Sequence, residues 1–345
     1  MNYVWSAFFV LVVALLALDL GVLNRKDHVI GFKEASRWTA LWITIGVSFG
    51  GIVYLIYAQH WFGIQLAQHD PNVPDGIEAL TLYITGYLLE KSLSIDNIFV
   101  IAMVFDRFAV QREYRHRVLF WGILGALVMR AIMIFGGIWL IEKFDWIFYF
   151  FGAWLIWQGI SSVRGGDDDE DVDPEKSLIF RMASRVMPLR GGPHHGHFTT
   201  REGGKFAFTT LALTLVVVEW TDVAFALDSV PAVLAVTTEP FIVFTSNIFA
   251  ILGLRALFFM LEGMLAEFEV LAYALAAILV FIGLKMILHN WVHVPNLLSL
   301  GIIAGILVAA VVGERILRSR KASEPASGEP ADPPSDGGAD APHES

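Results

Sequence analysis

Five carboxylates stand inside two long apolar stretches: Glu90 and Asp96 in "LLEKSLSIDNIFV", and Glu219, Asp222 and Asp228 in "VEWTDVAFALDSVPAVL". A charged group at the centre of a membrane helix costs about 2.5–3.5 kcal/mol even on the lenient insertion scale, so this set costs on the order of 10 kcal/mol unless paired, protonated or hydrated. Lys91, Arg130 and Arg255 lie in apolar runs as well, and pairing inside a bundle is one reading of the acids. The acids outnumber these bases, and the surplus suits a cation or protons. Asn97 and Ser229, each directly after an acid, add an amide and a hydroxyl. Oxygen donors of this kind suit Mn²⁺, Ca²⁺ or Mg²⁺, and the absence of cysteine removes any thiolate site for zinc or copper(I).

The elements that must position these groups are membrane helices. Hydrophobic residues make up 56% of the chain and charged residues only 17%. Apolar runs long enough for a hydrocarbon core of about 30 Å recur along it. Nine such runs are Val4 to Leu23, Trp38 to Tyr57, Ala79 to Phe105, Val118 to Ile141, Phe144 to Ser162, Phe206 to Thr237, Phe241 to Leu261, Phe268 to Leu288, and Leu297 to Val312. The fold class is therefore all-α, a polytopic membrane protein of about nine transmembrane helices. The first run has neither a basic leader nor a small-residue cleavage site and reads as a retained helix. The net charge of −10 comes largely from "DDDED" at Asp167 to Asp171 and from the tail, and implies no nucleic-acid partner.

Basic residues set the topology. With Arg25, Lys26, Lys33 and Arg37 on the cytoplasmic side, Arg107, Arg112, Arg115, Arg117, the Arg164 to Lys205 set and Arg315 to Lys321 fall there too, and Lys143 falls outside. This asymmetry places the N-terminus outside and the C-terminus in the cytoplasm of a cytoplasmic-membrane protein.

The two acidic helices share one pattern: Glu90 precedes Asp96-Asn97, and Asp222 precedes Asp228-Ser229, by six residues each. The next helix in each half carries Arg-Ala, in "RAIMIFGG" from Arg130 and "RALFFMLEG" from Arg255. The one after opens with Phe144-Asp145 or Phe268-Glu269, and Tyr149 and Gly159 match Tyr273 and Gly283. A repeat of three spans inverts in the membrane, so helices 3–5 (residues 79–162) and 6–8 (206–288) are expected about an in-plane pseudo-twofold axis, with the substrate site near the midplane. The N-terminal segment 1–78, the cytoplasmic loop 163–205 and the final helix 289–318 are expected outside this core. The Pro/Ser/Gly/acid tail 319–345 is expected to be disordered.

Residues six apart on a straight helix point roughly 120° apart, so Glu90 and Asp96 share one small site only across a local break. Pro231 predicts such a break beside Asp228, because it cannot donate to the carbonyl of Leu227. The third helix has no matching proline, and only Ser92, Ser94 and Asn97 could satisfy backbone groups freed there. Glu219 and Asp222, three apart, share a face.

The motifs "LEKSLSIDNIFV" from Leu89 and "VEWTDVAFALDSVPAVLAV" from Val218 resemble the TerC/Alx family of integral membrane proteins, named for tellurium resistance and associated with manganese export. The likeness covers roughly Leu80 to Leu288. It implies a Mn²⁺ exporter with Glu90, Asp96, Asn97, Glu219, Asp222 and Asp228 as candidates for its acidic site. Tellurite is an oxyanion, and an acid-lined core does not suit it.

Alternating-access export of a divalent metal, coupled to protons exchanged on the same carboxylates, is the leading expectation, with no resident cofactor. An intramembrane aspartyl hydrolase is an alternative, but its Gly-x-Gly-Asp motif is absent. A membrane scaffold or metal sensor without transport is another. His194, His195 and His197 could gather metal in the cytoplasmic loop, although a solvated cluster explains them as well. The Asp167 to Asp171 run could concentrate cations there or simply be solvated. Lys285 can reach the outer interface, and most tryptophans read as interface belts.

Overall fold

Each apolar run becomes a helix, or a pair of helices, in the computed structural model, which describes residues 2–21, 31–59, 74–144, 146–164, 197–202, 205–262, 269–292 and 294–323. In chain order these are α1 (Asn2–Gly21), α2 (Phe32–Ala58), α3 (Gly76–Arg107), α4 (Arg112–Lys143) and α5 (Trp146–Arg164). A small antiparallel hairpin follows, β1 (Thr199–Glu202) with β2 (Lys205–Phe208). Then come α6 (Thr210–Leu234), α7 (Pro240–Ile251), α8 (Leu254–Leu261), α9 (Glu269–Ile287) and α10 (Asn296–Ser323). Among the described residues five helices are long and apolar enough to cross a membrane, or six if the bent pair α7 and α8 is one span. The expected nine also include α1, α3 and α9, which length and apolarity alone do not single out. In α3 the reason is visible: Glu90, Lys91 and Asp96 lie in its middle.

Local chemistry starts the site-bearing helices. Asp75 caps α3 by accepting from the Glu78 amide at 2.7 Å, and Thr209 does the same for α6 through the Ala212 amide at 3.4 Å. Pro240 opens α7, where its missing N–H costs nothing.

The break anticipated at Pro231 is not there. α6 runs through it, because Pro231 lies in the last turn and forfeits one ladder bond just before the helix ends at Leu234. The Ala235 amide then closes that turn onto the Pro231 carbonyl at 2.9 Å. α3 is also unbroken; Ser92 and Ser94 donate to carbonyls of their own intact helix, Leu88 at 2.6 Å and Lys91 at 2.8 Å. The break falls instead between α7 and α8, which meet at a 40° bend. There Leu252 is extended and Gly253 has φ +83°, a left-handed conformation favouring glycine, and a Cβ on Gly253 would overlap the Trp42 side chain.

The helices expected outside the core pack against it. α3 is the hub, packed by α2, α6, α7 and α10. α1 docks on α7 through Trp5 and Phe8, whose rings lie 5.4 and 6.0 Å from Phe241. α10 continues to Ser323, past the start expected for the tail. Asp145, the Asp167 to Asp171 run, His194, His195, Gly263, Phe268 and residues 324–345 lie outside the described residues.

The closest helix pair is α5 with α9, and glycine permits it. A Cβ on Gly283 would meet the Gly152 carbonyl oxygen at 2.6 Å, and one on Gly159 would meet the Ala276 oxygen at 2.7 Å. In the sequence Gly159 and Gly152 stand at the offsets of Gly283 and Ala276, so small residues occupy the same places on both helices. Gly159→Ala and Gly283→Ala are each expected to cost about 1–3 kcal/mol in thermal unfolding, because backbone cannot step aside. Gly301→Ala, with nothing within 4 Å of its added Cβ, is expected to be neutral or stabilising by up to ~1 kcal/mol.

Candidate functional site

The polar centre of the bundle forms where α3, α4, α6 and α7 meet, and Arg130 of α4 is its hub. Its guanidinium pairs with Glu90 of α3 and with Asp222 of α6, the latter at 3.2 Å. It also donates to Ser229 Oγ at 3.4 Å and to Asn247 Oδ1 of α7 at 3.2 Å. Asn247 turns its amide nitrogen to Glu90 at 2.9 Å, and Asn97 turns its own to Asp222 at 2.8 Å. All six side chains are buried; Asp222, the most exposed, is at 5%.

Close approach of the helices allows this convergence. α7 lies against α3 because Gly86 faces Ser246, whose Oγ a Cβ would meet at 2.8 Å. That contact brings Asn247 to Glu90. Glu90 and Asp222 hold matched positions in the two acidic motifs, as do Asn97 and Ser229; Glu90, Asp222 and Ser229 meet Arg130, and Asn97 reaches it through Asp222.

Three oxygens in this cluster have no hydrogen-bond partner among the described residues: Glu90 Oε1, which is held only by its ion pair to Arg130, Asn97 Oδ1 and Asp222 Oδ2. Asn97 and Asp222 line a cavity of about 20 Å³, otherwise walled by apolar groups such as Ile101, Leu119, Val218 and Leu254. That is room for one water-sized occupant. A buried carboxylate oxygen and an amide oxygen, on two residues that line one small cavity, are two of the six or more oxygens that a hard cation takes.

The seven residues expected to bind metal do not all meet. Glu90, Asn97, Asp222 and Ser229 converge; Asp96, Glu219 and Asp228 do not join them. On continuous helices the angular argument holds, and Asp96 and Asp228 point elsewhere. Asp228 accepts from the Trp154 indole of α5 at 2.8 Å. Glu219 lays its carboxylate against α4 at Gly125, where any Cβ would overlap it. Among the described residues no three acidic or histidine side chains stand close enough together to hold a metal ion.

The bases divide differently from expectation as well. Arg130 reaches the acids, whereas Arg255 pairs with Asp19 of α1 at 3.1 Å and donates to its backbone carbonyl at 2.8 Å. Lys91 donates to the Ala250 carbonyl at 3.1 Å. Asn247 and Asp19 escaped the sequence reading. The signal for Asn247 was the Thr245-Ser246-Asn247 cluster, three fully buried polar residues in an apolar run. At one end of the bundle Arg115 ties the α3–α4 turn to the end of α8, pairing with Asp106 at 2.7 Å and with Glu262.

Comparison with known proteins agrees with the membrane fold. The profile of the family described as "Integral membrane protein TerC family" matches residues 75–322. The "Uncharacterized membrane protein STKORF319" of Myxococcus xanthus is 45% identical over 318 residues, 92% of this chain and 93% of that protein. The "Putative membrane-bound redox modulator Alx" of Escherichia coli (strain K12) is 41% identical over 309 residues, 89% of this chain and 92% of its own. An "Uncharacterized membrane protein" of Rickettsia bellii is 35% identical over 315 residues, covering 91% and 98%. No solved structure matches the chain.

Proposed function

The chain belongs to the TerC family of integral membrane proteins, and from its buried acidic centre we propose that it exports a divalent metal ion, Mn²⁺ foremost, from the cytoplasm by alternating access. The observation that carries this reading is the pair of unpartnered oxygens, Asn97 Oδ1 and Asp222 Oδ2, beside a one-water cavity deep in the bundle. Arg130 acts as a tethered cation: it neutralises Glu90 and Asp222 while the site is empty, and an arriving ion displaces it. Asp222 and Glu90 then supply negative charge, and Asn97, Ser229 and Asn247 neutral oxygens, a donor set for a hard ion. Two acids against one guanidinium leave a net negative site that also accepts protons, so proton exchange is the coupling we assign. The 40° bend between α7 and α8 beside the cluster supports this reading, because discontinuous helices commonly form the ion sites of transporters.

In this reading the protein sits in the cytoplasmic membrane, N-terminus outside and C-terminus in the cytoplasm, surrounded by lipid and without a resident cofactor. It is a transporter rather than an enzyme. The redox role in the Escherichia coli relative's name would need a route other than thiols here, because this chain has no cysteine.

Inside-out vesicles supplied separately with Mn²⁺, Ca²⁺ and Mg²⁺ test the proposal. Mn²⁺ accumulation that rises with an imposed proton gradient is the expected result. Equal accumulation in vesicles lacking the protein, for all three ions, would end it.

A further inference from the structure

The end of α7 poses a problem that Lys91 solves. α7 stops at Ile251, where Leu252 turns extended and Gly253 left-handed. A helix that ends inside an apolar bundle leaves carbonyls of its last turn without ladder partners and away from water. The Leu252 amide closes onto Ile248 at 2.9 Å, and the Ala250 carbonyl receives the Lys91 ammonium at 3.1 Å. A cation at the negative end of a helix is favourable.

Lys91 sits next to Glu90 on α3, and Ala250 lies three residues after Asn247 on α7, one turn along the same face. The neighbouring residues of α3 therefore grip α7 at two points, Glu90 at Asn247 and Lys91 at Ala250. The grip matters because Asn247 links Glu90 to Arg130, with its nitrogen on the first and its oxygen on the second.

We propose that Lys91 is the positioning residue of the ion site: it caps the carbonyl end of the broken α7 and so holds Asn247 between Glu90 and Arg130. This rests on the reading of that cluster as an ion site. It gives Lys91 a role distinct from neutralising an acid. It also explains why an ammonium on a long flexible stem stands beside Glu90: a compact donor can reach past the carboxylate to a backbone oxygen.

Two measurements on the full-length protein in lipid nanodiscs and vesicles test it. In hydrogen–deuterium exchange, Lys91→Met is expected to speed exchange over 248–253 by about tenfold or more, with Lys91→Arg close to wild type. If the Met variant does not insert, Lys91→Leu takes its place as the variant lacking the donor, and Lys91→Gln, which keeps a donor without the charge, is expected to exchange faster than wild type. Exchange at the wild-type rate in the variant lacking the donor would overturn the cap.

In Mn²⁺ transport, Lys91→Met is expected to raise the apparent KM about tenfold, and to add nothing in an Asn247→Ala background, because it acts through that residue. An equal effect in both backgrounds would overturn the positioning role. If wild-type vesicles move no metal, the transport reading fails while the exchange result still decides the cap.

Discussion

Arg130→Met is expected to destabilise the protein by about 3–5 kcal/mol, the usual cost of removing one partner from a buried ion pair. The change strands Glu90 and Asp222, 1% and 5% exposed, with no base against them in the cluster. The same variant should be rescued by metal. If Arg130 holds the place of a cation, Mn²⁺ binds the vacated acids, stabilises the fold by about 2.7 kcal/mol at a hundredfold excess over its dissociation constant and so raises the unfolding midpoint. Wild type is expected to gain less, because its guanidinium competes for the same oxygens. Thermal unfolding in detergent with and without MnCl₂ measures both effects. A variant as stable as wild type, or one indifferent to Mn²⁺, would contradict the tethered-cation account.

Asp222→Asn and Glu90→Gln are expected to reduce Mn²⁺ transport by about 100-fold or more, a loss of roughly 2.7 kcal/mol. Asp96→Asn and Asp228→Asn are expected to cost about tenfold or less. The difference follows from geometry, because all four acids stand in the same two motifs. Asp222 faces the cavity and meets Arg130 and Asn97, while Asp228 is held by Trp154 on α5. Initial rates in vesicles, normalised to inserted protein, separate the two classes. Equal losses across the four would mean that another conformation gathers them all and that the site is larger than the one seen here.

The helices and the acids were legible in the sequence for one physical reason: a charge in an apolar run is a contrast that a single sequence displays. Glu90 and Asp222 stand out this way with their matched spacing, and Asn97 and Ser229 by following an acid in each motif. Which acids face each other was not legible, because it depends on where helices bend. Pro231 is a visible breaker, yet one turn from a helix end it breaks little. Gly253 is the true bend, and it hides in a continuous apolar run because its left-handed turn is fixed by packing on Trp42. Arg255 matches Arg130 in sequence, but its partner Asp19 lies 236 residues away in α1. A local pattern carries no information about such a pair. Asn247 carries the same kind of signal, since a polar triplet in an apolar helix is the contrast that marks the acids.

Direct binding of Mn²⁺ to the purified protein, followed by the electron paramagnetic resonance of the free ion, tests the central claim most directly. The account predicts saturable binding in wild type, weakened about 100-fold or more in Asp222→Asn and in Glu90→Gln, and tightened in Arg130→Met. Binding in Asp222→Asn and Glu90→Gln equal to that of wild type would contradict it.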